Sequence, residues 1–123
     1  AEGLSGEEVY MGFAQIDAMR NAALAASKGF DFIISPTAPM ATYPAEWASP
    51  VNDPQRPFEH IAFTVAMNMS EQPAISINCG YTSTGLPIGL QVFGQRFDDL
   101  GVLRLAKAYE DMRPPQRPWP TIA

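Results

Sequence analysis

Apolar positions along this chain fall into two periods, and the switches between them outline the fold. Residues 5–28 carry Val9, Phe13, Ile16, Ala23 and Leu24 near helical spacing, which predicts a helix with those side chains as its buried stripe. Ser5 and Glu8 form an S-x-x-E capping box at its start. Lys28 falls in the last turn, where it complements the helix dipole, and Gly29 stops the helix. Phe30 to Ser35 (FDFIIS) is a short apolar run closed by Pro36, hence a strand leading into a loop. Residues 36–57 hold six prolines and few apolar residues, which predicts a long ordered or semi-rigid loop; loops of that length in a compact domain usually serve function or mobility.

A second helix is expected from Pro57, whose missing N–H costs nothing in a first turn, up to the residues before Pro73. Phe58, Ile61, Val65 and Met69 then share one face. Ala74 to Cys79 (AISINC) and Pro87 to Phe93 (PIGLQVF) read as strands around a Thr/Ser/Gly turn at 81–85, with Gly89 marking a bulge or a close backbone approach. Asp98 or Asp99 caps a last helix with Val102, Leu105, Ala106 and Tyr109 on its apolar face. The Pro-rich segment 113–123 is expected as an extended tail. The order αβ–loop–αββα predicts an α/β fold, a mixed β-sheet flanked by helices. Two strands read as apolar on both faces, so the unit is expected to dock on a larger sheet.

Composition narrows the function. With 46% hydrophobic and 17% charged residues over 123 positions, the chain is globular and long enough for one core. A net charge of −5 without a Lys/Arg stripe excludes ordinary phosphate-backbone binding, so no nucleic-acid partner is expected. No apolar run approaches the roughly 20 residues of a membrane span. The single Cys79 fits a reducing, cytoplasmic setting and, among apolar neighbours in a strand, reads as a small buried hydrophobe. The start at Ala1, immediately before a helix signal, is what an excerpt or processed product shows.

Candidate chemistry in the residues themselves is thin. His60 is the only histidine and has no nucleophile at a recognisable spacing, so it reads as a surface or satisfied residue. No His/Cys/carboxylate set has metal-ligand spacing, and the glycines form neither GxGxxG nor a P-loop. Asp98 and Asp99 could form a carboxylate dyad, but helix capping explains them more simply. Tyr43, Trp47 and Tyr81 read as loop anchors rather than a stacking platform.

Three motifs in order carry a resemblance. FDFIISPTAP offers Asp31, Pro36, Thr37 and Pro39; AFTVAMNMSEQPAISINCG offers Phe63, Thr64, Asn68, Pro73, Ala74, Ser76 and Gly80; GLPIGLQVFGQRFDD runs from Gly85 through Asp99. From about Phe30 to Glu110 the chain resembles the closing segment of the amidase signature family. That resemblance implies a hydrolase of carboxylic amides using a Ser nucleophile, a bridging Ser and a Lys through an acyl-enzyme, without a cofactor. It implies that residues 1–123 are the carboxy-terminal segment of such a domain. No Gly-Gly-Ser-Ser run is present and Lys28 and Lys107 are the only lysines, so no catalytic residue is carried over and the chain alone is expected to be inactive.

A substrate-shaping role can be carried over. Positions matching Phe58, Ile61 and Val65 would face the amide pocket, although plain core packing explains the same stripe. Phe97 is a further pocket candidate, and Pro36 and Thr37 would border the active-site mouth. Amidotransferase members of the family hold glutamine with an Asp at the position matching Ile61, so the resemblance points to an apolar or aromatic amide. Ser70, Glu71 and Gln72 depart from the usual Gly-containing turn, and Asn78 replaces a frequent Pro. The implied partners are the remainder of an amidase chain and a small-molecule amide, with homo-oligomerisation open. The competing reading is a non-enzymatic docking module derived from the same fold.

Overall fold

The computed structural model describes residues 3–118 and residue 121. Its elements are α1 (Gly6–Ser27), β1 (Phe32–Pro36), a 3-10 turn (Glu59–Ile61), α2 (Val65–Ser70), β2 (Ala74–Tyr81), β3 (Pro87–Gly94) and α3 (Asp99–Met112). The strands form one sheet in the order β1-β3-β2, and β3 pairs antiparallel with both neighbours. Val92 sits opposite Ile34 on one side and Ile75 on the other. The α/β reading therefore stands, and the three strands this chain contributes to its sheet are antiparallel.

Side chains alternate across the strands, which gives the sheet two different faces. On one, Ile77 and Val92 pack with Ala106 of α3, and Phe32, Ile75, Leu90, Leu105 and Tyr109 surround them. This is the core, and it uses the α3 stripe foreseen from the sequence. On the other face the central positions are polar: Ser35 and Ser76 both lie opposite Gln91.

Local chemistry sets the element ends as expected. The Ser5 hydroxyl accepts from the Glu8 N–H at 3.2 Å, and the Ser5 N–H donates to the Glu8 carboxylate at 2.7 Å. Asp98 caps α3 by accepting from the Gly101 N–H at 3.1 Å. Gly85 closes the β2–β3 turn at φ 90°, a conformation that costs glycine nothing. β1 is shifted by two residues from its expected start, and Pro36 at its end lies opposite Leu90.

Four expectations need correction. Val9 and Phe13 are 45% and 68% exposed, because α1 packs on α2 only through its later turns, from Ala14 and Ile16 to Ser27. Helix α1 ends at Ser27, so Lys28 is its C-cap residue and the last turn carries no basic side chain. The single helix expected from Pro57 is broken: i→i−3 bonds from Ile61, Ala62 and Thr64 make tight turns before a six-residue α2. Cys79 is exposed, because a register shift between Asn78 and Gly80 leaves it as the extra residue of a β-bulge.

Glu71 ends α2 in the left-handed region at φ 59°. That explains why a glycine-containing turn is the usual solution here. Arg20 of α1, at 3.0 Å, and Arg96 beyond β3 both pair with the Glu71 carboxylate. Beneath them Gln72 is buried and donates to Ser27 Oγ at 3.2 Å and to the Gly94 carbonyl at 2.9 Å, joining α1 to the end of β3. Residues 37–57 form a loop in which buried Ser49 exchanges hydrogen bonds with the Asp53 backbone. After α3 the chain is extended at Arg113, and Tyr81 holds it by donating to Gln116 and accepting from the Arg117 N–H. Residues 119, 120, 122 and 123 of the expected tail lie outside the described residues.

Candidate functional site

Where β1 runs out at Pro36, the chain turns over the polar face of the sheet. It encloses a cleft of about 650 Å³ between the segment from Pro36 to Tyr43 and strands β2 and β3. Thr37 N–H donates to the Gly89 carbonyl at 3.1 Å, so pairing with β3 continues one residue past the proline. This places the Thr37 side chain over the middle of the sheet. Thr37 Oγ1 and Ser76 Oγ, from opposite edge strands, meet at 2.7 Å. They can meet because Gly89 lies between them: a Cβ there would stand 2.7 Å from Thr37 Oγ1 and 2.8 Å from Ser76 Oγ. The Gly89 expected at a bulge or a close approach is thus a close approach, and the bulge lies at Cys79.

Tyr43 and His60 close another side of the cleft, their ring centroids 6.5 Å apart. His60 Nδ1 is buried and has no hydrogen-bond partner within the described residues. Asn78 also contributes to the wall, with its Oδ1 taken by the Gly80 N–H at 2.8 Å. Pro36, Pro39, Met40 and Ile88 provide apolar surface.

Of the candidate residues, the structure brings Pro36 and Thr37 into this cleft. Phe58, Ile61, Val65 and Phe97 are not in its wall. Phe58 precedes the 3-10 turn and is 70% exposed, while Ile61 and Val65 are half-buried on separate elements, so the shared helical face is lost. Phe97 is exposed at φ 67°, with the Arg96 guanidinium 4.8 Å from its ring centre. The sequence reading missed Ser76, His60 and Tyr43 as cleft residues. The signal was present in the alternation of Ser76 and Asn78 with Ile75 and Ile77, which marks a polar face.

Neither lysine has the setting of a buried base. Lys28 is exposed after α1, and Lys107 is exposed and paired with Asp111 on α3. Among the described residues no three His, Cys, Asp or Glu side chains converge, and no helix is long and apolar enough to cross a membrane.

A three-stranded sheet with α3 on one face and a polar cleft on the other forms part of an α/β fold, and comparison gives it a family. The Amidase family profile matches residues 4–103, so the chain belongs to the Amidase family. It is 42% identical over 84 residues to a glutamyl-tRNA(Gln) amidotransferase subunit from Thermodesulfovibrio yellowstonii, covering 68% of this chain and 17% of that protein. The corresponding subunit from Myxococcus xanthus is 39% identical over 80 residues, 65% of this chain and 16% of that protein. The chain thus spans about a sixth of the length of the curated relatives it matches.

Among solved structures, the Thermotoga maritima glutamyl-tRNA(Gln) amidotransferase subunit superposes with a TM-score of 0.63 at 27% identity, over 92% of this chain and 29% of that one. A crystal structure described as an amidase gives 0.76 at 23% identity, over 90% of this chain and 26% of that one. At that identity the likeness speaks for the fold alone.

Proposed function

We propose that this chain is the carboxy-terminal portion of an amidase that hydrolyses carboxylic amides by Ser acyl-enzyme chemistry. In this reading it contributes sheet and substrate-pocket wall, while the nucleophilic Ser, the bridging Ser and the Lys lie in polypeptide outside these residues. A Lys can take a proton from Ser only when burial and neighbours keep it neutral. The observation that carries the reading is that both lysines of this family member stand exposed on helix ends and faces, far from such a setting.

On the family resemblance alone, since they share no helical face and stand outside the cleft, Phe58, Ile61 and Val65 are proposed as side-chain pocket residues, with Pro36 and Thr37 bordering the active-site mouth and Phe97 a further pocket candidate. The absence of a carboxylate at Ile61 favours an apolar or aromatic amide over glutamine. The remainder of an amidase chain is the proposed partner. We place the protein in the cytoplasm, which its one thiol and lack of disulfides favour.

The test is to incubate the purified chain with a panel of aryl and aliphatic amides, alone and mixed with a polypeptide carrying the Gly/Ser-rich loop and Lys. No turnover alone, with turnover on mixing, is the expected result. Turnover by the chain alone that survives removal of trace contaminants overturns the reading.

A further inference from the structure

We propose that residues 113–117, directly after α3, act as a strap that fixes the outer end of the β2–β3 hairpin and, through it, one wall of the cleft. The inference concerns what holds the cavity in shape, and it stands whatever the cavity binds.

The hairpin end needs such a support. β1 pairs with β3 only over residues 90–94, with one further bond from the Thr37 N–H to the Gly89 carbonyl. Past Gly89 the sheet has two strands, and a two-stranded ribbon by itself is marginal in water. The bulge at Cys79 weakens this ribbon further, because it leaves one residue of β2 out of the ladder. Asn78 and Thr82 stand on the ribbon and also line the cleft, so opening of the ribbon displaces that wall.

The strap grips the ribbon on both sides of the bulge. Arg113 Nη1 donates to the Asn78 carbonyl at 2.8 Å, just before it. Just after it, the Tyr81 hydroxyl donates to Gln116 Oε1 and accepts from the Arg117 N–H, both at 3.2 Å. The Arg117 guanidinium lies 4.6 Å from the centre of the Tyr81 ring, a cation–π distance. It passes the turn so closely that a Cβ on Gly85 would stand 2.5 Å from its Nη1. The strap is pre-organised as well. Pro114 and Pro115 restrict its backbone, and Arg113 is already extended at φ −70° and ψ 153°. Glu110 of α3 aims the Arg113 guanidinium by accepting from its Nη2 at 3.2 Å. Docking therefore costs less conformational entropy than it would for a flexible tail. Residues 113–117 are not in the cleft wall, so they act on the cavity through the hairpin alone.

The experiment is amide hydrogen exchange on the ¹⁵N-labelled chain, compared with a chain ending at Met112 and with the Tyr81→Phe and Arg113→Met variants. The Thr82, Gly85 and Leu86 amides, which bond within the turn, report on the hairpin end. The Val92 and Phe93 amides report on the core sheet. Ending the chain at Met112 should speed exchange at the three turn amides at least about tenfold, with Val92 and Phe93 changed less than about twofold. Each single variant should speed the turn amides about three- to tenfold, the loss of one or two hydrogen bonds. The Asn78 side-chain amide, which reports on the cleft wall, should become more mobile in all three. Unchanged exchange at the turn in Tyr81→Phe and Arg113→Met means that the hairpin holds itself and overturns the inference. An equal rise at Val92 and Phe93, or loss of the dispersed spectrum in the single variants, makes the segment part of the global fold and also overturns it. Because the readout is exchange, failure here leaves the amide-hydrolysis test unaffected.

Discussion

Gln91 and Phe63 are joined across the interior: Gln91 Nε2 donates to the Phe63 carbonyl at 2.7 Å from a side chain only 3% exposed. The same nitrogen donates to Ser35 Oγ at 3.0 Å. One amide on the central strand thus ties β1, β3 and the segment that carries Ile61 into α2. Removing it leaves a carbonyl without its partner beside the sheet. We expect Gln91→Leu to lower stability by about 1–3 kcal/mol, read from urea unfolding. An unchanged midpoint would mean that the Phe63 carbonyl is satisfied without Gln91.

Cys79 stands exposed in the bulge of β2, with its thiol 3.5 Å from the Ile88 carbonyl. It should react fully with a thiol-specific dye in the folded protein without denaturant. Reaction only after urea is added would place it back inside the core.

The capping box gives α1 a pH dependence. The Ser5 N–H, and then its hydroxyl, hydrogen-bond the Glu8 carboxylate and lower its pKa from 4.5. The folded value lies below the unfolded one, so the contribution is complete above the unfolded pKa and disappears as pH falls through the folded pKa. The gap in urea midpoint between the unsubstituted chain and Glu8→Gln should therefore be constant near neutrality and shrink in acid. A gap that persists in strong acid would contradict this.

Ile61 occupies the position from which the pocket reading draws its substrate preference. In a longer amidase carrying these residues, Ile61→Asp should move kcat/KM towards polar amides. An unaltered substrate profile in a well-folded variant would reduce Ile61 to packing.

Much of the fold could be read from local pattern. Ser5 with Glu8, Asp98 before α3 and Gly85 between β2 and β3 act within four residues of themselves, and each was found where the sequence put it. The second helix misled because Phe58, Ile61, Val65 and Met69 have helical spacing. Tight turns replace the α-helix before Val65, and the Phe63 carbonyl is held by Gln91, 28 residues away. Likewise, the spacing of Val9 and Phe13 signals an apolar face but not what covers it; among the described residues their side chains remain exposed.

The candidate site was less legible. Pro36 and Thr37 were identified through the family motif, but their meeting with Ser76 required β1 and β2 to flank the same strand.

From its own order of residues, this chain determined its caps, its turn and its alternating strands, because those depend on hydrogen bonds and steric limits between near neighbours. Tertiary structure alone decided that Thr37 would meet Ser76 across 39 residues and Gln72 would reach Ser27 across 45. Such contacts form only once the sheet is paired and the helices are packed, and no local propensity encodes the distance they must close.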